Sequence, residues 1–141
     1  MKYHFKVHKE GSGFWAECIE LDGCITEGDS KEELFKNMCD ALNLYLEEIE
    51  DSTFLAPFPK KNLKLTRSIV LVPVDPEVAF GFMVRYHRIK KGLTQKKAAL
   101  ELGMKNLYSY QRLEKRCNVT LEMIGKPIKI FPKFSLDRIF K

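Results

Sequence analysis

The chain has no apolar run long enough to cross a membrane and no charged-then-apolar leader at its start, so a cytoplasmic protein is expected. It has four cysteines, none of them at Cys-x-x-Cys spacing. Only three histidines accompany them: His4 and His8 on one presumed strand, His87 far away in a presumed helix. A zinc site needs closer pairs than these. Cys18, Cys24, Cys39 and Cys117 are therefore expected as free thiols, and neither metal nor cofactor is expected. No Gly-rich phosphate loop and no Gly-x-Ser-x-Gly elbow is present, which removes the common nucleotide-binding and hydrolase signatures. Carboxylates are missing where a nuclease needs them. Two-metal nucleases gather acids around ions about 4 Å apart, one acid standing centrally on the first strand, and Lys2 to Lys9 has none. Glu17, Glu20, Asp22, Asp29 and Asp40 show no spacing that would assemble them. Cys18 is the remaining nucleophile candidate, and a free cysteine in a strand is usually core. Catalysis is not expected.

What is present is enough apolar material for real cores, 45% hydrophobic and 11% aromatic, so a disordered chain is excluded. The length of 141 residues fits one domain or two small ones. Charge divides the chain: residues 1–75 carry 9 Lys/Arg against 14 Asp/Glu, and residues 76–141 carry 15 against 5. An acidic half repels nucleic acid and attracts basic proteins, whereas a basic half neutralises phosphates.

The acidic half reads as β-β-β-α-β. Tyr3, Phe5 and Val7 alternate with polar residues as in a half-buried strand. Glu10 to Gly13 is a turn, and Phe14 to Ile19 a second strand paired with the first. Leu21-Asp22-Gly23 bends the chain into a third strand, Cys24 to Thr26. Ser30 with Glu33 makes a capping box, and Leu34, Met38, Ala41, Leu42, Tyr45 and Ile49 give the following helix an apolar stripe to about Asp51. A connector rich in proline, Ala56 to Pro59, leads to a last strand at Ser68 to Val72.

The second half is expected to be all helical. Asp75, Pro76 and Glu77 open a helix that runs to Lys91 and stops at Gly92. Thr94 caps a short helix begun by Gln95, Gly103 ends it in a left-handed turn, and a second short helix closes at Arg112-Leu113-Glu114. Ala98 and Ala99 are small where two helices cross, and Leu93, Leu102, Met104, Tyr110 and Leu113 form the apolar face. Further on, Gly125 and Pro127 are expected to break or shorten a helix across Leu121 to Phe131, and Ser135 to cap a last turn through Phe140. Ile124, Ile128, Ile130, Phe131, Phe134 and Phe140 either complete the core or form a dimer interface.

Two resemblances follow from these residues. Gly92-Leu93-Thr94-Gln95, Ala99, Gly103 and Arg112-Leu113-Glu114 resemble the Cro/Xre-type helix-turn-helix, although the turn Gly103 to Asn106 is one residue longer than usual in that family. The resemblance implies an Arg88–Glu114 salt bridge and a recognition helix whose groove-facing set is Asn106, Leu107, Tyr108, Ser109 and Arg112. Gln95 and Lys96, opening the preceding helix, would hold phosphate. Phe14-Trp15-Ala16-Glu17 followed by Leu21 through Glu33 resembles the N-terminal domain of HicB-type antitoxins, without the proline usual in its bend. Together the likenesses cover residues 1–115 and imply an α+β protein: a HicB-like, partial RNase H-like toxin-binding domain over 1–74 and a helix-turn-helix DNA-binding domain over 75–141.

The function so implied is an antitoxin that binds a small basic HicA-type, mRNA-cleaving toxin and represses its own operon as a dimer or tetramer on operator DNA. The acids Glu47, Glu48, Glu50 and Asp51 at the helix end are candidates for the toxin surface, or else a solvated face. Trp15 is either core or an anchor for the partner. A ligand-responsive repressor without a toxin is the alternative, and a nuclease carrying a DNA-targeting domain a third reading.

Overall fold

The computed structural model describes residues 1–47 and 53–141. It is an α+β protein whose contacts separate two compact units, Met1–Glu48 with Ala56–Val74 and Ile49–Leu55 with Asp75–Lys141. In the described residues no helix is long and apolar enough to cross a membrane.

The first unit is one sheet and one helix. Strands β1 (Lys2–Glu10), β2 (Gly13–Cys18), β3 (Ile25–Gly28) and β4 (Ile69–Pro73) lie in the order β3-β2-β1-β4, every pair antiparallel. The register sets Phe5 opposite Cys18, Val7 opposite Ala16 and Tyr3 opposite Val72, so period-two alternation gathers these side chains on one face. Helix α1 (Lys31–Glu47) lays Leu34, Met38, Leu42 and Leu46 on that face, each 0–3% exposed. A one-sided stripe repeating every four residues is what an amphipathic helix needs to cover a sheet, and each such burial contributes about 2 kcal/mol. The capping box forms with one difference. Ser30 Oγ accepts from Glu33 N at 3.1 Å, while the Glu33 carboxylate reaches back to the amide of Asp29 instead of Ser30. The expected continuation of this helix through Ile49 to Asp51 lies outside the described residues.

Glu20 fastens the connector to the sheet. Its buried carboxylate accepts from His4 N at 3.1 Å and Lys60 N at 3.2 Å, and lies 2.6 Å from His4 Nδ1. Cys18 Sγ donates to the same carboxylate at 3.6 Å. Contact with the Cys24 sulfur and, secondarily, burial push the Cys18 thiol up, and that same contact holds Cys24 below the ordinary thiol value. All four cysteines are free.

The second unit is helical: α2 (Pro76–Lys90), α3 (Gln95–Glu101), α4 (Leu107–Leu113), α5 (Leu121–Ile130) and α6 (Asp137–Phe140). Two expectations need correction. Helix α5 is not broken at Gly125 and Pro127. Pro127 forfeits one backbone bond, but it is fully buried, and Thr120 caps the helix start by accepting from Met123 N at 3.2 Å. Nor does Ser135 cap the last turn: Leu136 holds that position, and Ser135 contributes only its carbonyl, to Arg138 N at 3.2 Å. Asp75 stands at the start of α2 as expected, yet its side chain makes no capping bond and pairs with Arg116 at 2.7 Å. The C-terminal apolar set divides. Phe131 and Phe134 are buried around His87, while Ile128 and Phe140 are exposed, as is Leu121.

Candidate nucleic-acid interface

The α3–α4 pair is built by helix ends. Thr94 accepts from Lys97 N at 3.1 Å and so begins α3. Gly103, at φ 67°, ends it: its N–H bonds Leu100 O and that of Met104 bonds Ala99 O, the paired bonds of a left-handed helix stop. Gly92 closes α2 by the same device, its N–H bonding Ile89 O and that of Leu93 bonding Arg88 O. Asn106 then opens α4 by accepting from Ser109 N at 2.8 Å. Ala98 and Ala99 are buried with Leu102, and Tyr110 and Leu113 are wholly buried.

Helix α4 is set in place by Glu114, which caps its C-terminus. A carboxylate there opposes the helix dipole, so it must be held by donors, and four converge on it. Arg88 donates from Nε at 2.5 Å and from Nη2 at 3.4 Å, Gln95 Nε2 at 2.9 Å, and Tyr110 OH at 2.7 Å. Arg88 Nη1 also bonds Leu93 O at 3.0 Å, and Gln111 Nε2 donates to Gln95 Oε1 at 3.1 Å. The Arg88–Glu114 bridge expected from the sequence is thus present, with side chains 12% and 5% exposed. Burial and the neighbouring Glu114 charge push the Tyr110 hydroxyl up, keeping it a donor. Helices α2, α3 and α4 share one charged knot.

Gly81 supplies the other contact, and sequence reading missed it. A Cβ built there would lie 2.9 Å from the backbone C and O of Glu114. Helix α2 therefore needs a bare Cα where the end of α4 touches it. The available signal was a glycine inside a helical pattern. Gln111 was also missed, as was the capping role of Asn106, for which the signal was an asparagine directly ahead of the helical residues.

The face of α4 away from this core carries Leu107 (41% exposed), Tyr108 (69%) and Arg112, with Ser109 half-buried. Lys96 and Lys97 on α3, Lys105 in the turn, and Lys115 and Arg116 after α4 are exposed. Of the residues expected to meet DNA, Leu107, Tyr108, Arg112 and Lys96 therefore lie outward, whereas Gln95 and Asn106 have their side chains engaged within the unit.

In the sheet unit Trp15 is half-buried on the face opposite α1, its ring stacked on His8 at 4.0 Å and 16°. His8 Nε2 lies 3.1 Å from Glu17 on the same face, where Ile25 is 56% exposed. Glu47 is half-buried on α1, while Glu48, Glu50 and Asp51 lie outside the described residues. Among the described residues no group of three or more His, Cys, Asp or Glu is placed to hold a metal ion.

No family model matches the chain. It is 35% identical to a UPF0150 protein of Helicobacter pylori (strain J99) over 75 residues, which are 53% of this chain and 92% of that protein. It is 34% identical to a UPF0150 protein of Synechocystis over 71 residues, 50% of this chain and 87% of that protein. Each match takes in about half of this chain and most of the relative.

Proposed function

The chain belongs to the UPF0150 family, and from that membership and the geometry of the helical unit we propose that it is a HicB-type antitoxin that also binds DNA. The acidic sheet unit binds a small basic HicA-type toxin, and the helical unit binds operator DNA and represses the operon. Both parts act by binding, not by catalysis, in the cytoplasm.

The observation that carries the proposal is the α3–α4 pair pinned by Glu114. Seven-residue helices are too short to hold their shape alone, so the knot on Glu114 and the close approach at Gly81 preorganise α4. It is presented with an outward Leu107, Tyr108 and Arg112 amid exposed lysines. Such a face suits the major groove, with the lysines on phosphates. The UPF0150 match is longer than everything from Asp75 to Lys141, so it takes in residues of the sheet unit, and both relatives are scarcely longer than the match itself. The residues that resemble HicB-type antitoxins, Phe14 to Glu33, lie in that same sheet unit. A toxin-binding unit common to the family, with a DNA-reading unit added in this chain, accounts for both facts.

One helix-turn-helix covers little DNA, so operator binding calls for a dimer on a two-fold site. Leu121, Ile128 and Phe140 supply an exposed apolar surface for it. The test is co-expression with the product of the neighbouring open reading frame, with growth and co-purification as readouts. Growth rescue and a stable complex are expected; a toxic neighbour that is neither bound nor neutralised would overturn the antitoxin reading.

A further inference from the structure

We infer that α4 reads thymine through its C5-methyl group, with Leu107 and Tyr108 as the reading residues, and does not read adenine through an amide. This rests on the DNA-binding reading above and specifies the base chemistry of the same site.

In the major groove, adenine offers a donor and an acceptor that a Gln or Asn side chain meets with its own oxygen and nitrogen together. Thymine offers an acceptor and a methyl group, and the methyl takes apolar contact. Three amides lie on or beside α4, and the structure uses all of them. Asn106 Oδ1 accepts from Ser109 N at 2.8 Å and starts the helix. Gln95 is committed at both ends, Nε2 to Glu114 at 2.9 Å and Oε1 to Gln111 at 3.1 Å. That second bond also takes up Gln111 Nε2. An amide turned toward adenine would abandon either the helix cap or the knot that places the helix.

What remains outward is of another kind. Leu107 is 41% exposed and Tyr108 is 69% exposed, while the core contact of the same helix is carried by Tyr110 and Leu113 at 0%. Both leave apolar surface open to solvent, Tyr108 most of its side chain and Leu107 about two fifths. They begin the helix, the end that meets base edges when such a helix docks. Arg112, one turn beyond Tyr108, provides a fork suited to guanine. The surface discriminates by methyl contact and guanidinium, with no free amide pair.

The test uses the full-length chain and duplexes it selects from a random-sequence library. In the selected site each thymine is replaced singly by deoxyuridine, which removes only the methyl, and Kd is read by fluorescence anisotropy. One or two replacements should weaken binding about three- to tenfold, the effect of a single buried methyl. Leu107→Ala or Tyr108→Ala should then bind the thymine and uracil duplexes equally. Uracil tolerated at every position, or discrimination retained in both variants, would overturn the inference while leaving DNA binding intact. So would loss of preference at an adenine in Gln111→Ala. Selection that enriches no duplex would overturn the DNA-binding reading itself, and this inference with it.

Discussion

Arg88→Met removes three donors from the knot while keeping most of the side chain's apolar stem. Two of them serve Glu114, and the third serves the carbonyl of Leu93, just beyond the end of α2. Removing one partner of a buried ion pair costs about 3–5 kcal/mol, because the other charge is left in a poorly solvating site. Glu114 is that charge, at 5% exposure. Gln95 and Tyr110 still donate to it, which places the expected loss near the lower limit, about 3 kcal/mol. Against a typical domain stability of about 5–15 kcal/mol this is a large fraction. Urea unfolding of the full chain, followed by circular dichroism at the helical band, should show the midpoint of the helical unit fall by about 2 M. The single tryptophan, Trp15, lies in the sheet unit, so its fluorescence reports the other unit. That transition should hold still. Arg88→Met combined with Glu114→Leu should recover part of the loss, since the stranded charge is gone. A midpoint shift below about 0.5 M for Arg88→Met would refute the reasoning. A double variant no more stable than the single would show that lost packing, not a stranded charge, sets the cost.

Two glycine replacements in helices should have opposite signs. Gly81→Ala sets a methyl 2.9 Å from the backbone of Glu114 and should cost about 1–3 kcal/mol, whereas Gly125→Ala, with nothing within 4 Å, should gain about 0.5–1 kcal/mol; equal midpoints in urea would refute the close approach. His87 gives a pH dependence. Burial, and secondarily the charge of Arg138, lowers its pKa below 6.5, and its Nε2 has no partner among the described residues. The unfolded chain therefore takes up the proton first, so stability is whole above pH 6.5 and drains as pH falls toward the lower folded value. His87→Phe should flatten that slope and be neutral or stabilising at pH 7; an unchanged slope in thermal unfolding from pH 7.5 to 5 would count against it. In operator binding, Arg112→Ala should cost about 1–3 kcal/mol and relax preference at one guanine, measured by anisotropy against single-base variants; unchanged affinity would mean that α4 docks in another register.

Local chemistry made much of this protein legible from its residues. Period-two alternation in Tyr3, Phe5 and Val7, the box of Ser30 and Glu33, the cap at Thr94 and the stop at Gly103 each involve neighbours a few positions apart, so the residues themselves carry the signal. Arg88 and Glu114 were paired only through resemblance, because 26 residues separate them and no local rule joins such a pair. Tertiary structure alone decided the rest. It showed that Gly81 makes room for the end of α4, that Gln95 donates to Glu114 while Gln111 donates to Gln95, and that Trp15 stacks on His8 away from the core face. It also kept α5 continuous through Pro127, where local propensity argues for a break, since burying that ring offsets the backbone bond it cannot make. Caps and periodicity are written along the chain, whereas close approach, shared hydrogen-bond acceptors and the price of a proline depend on what another helix brings to the same place.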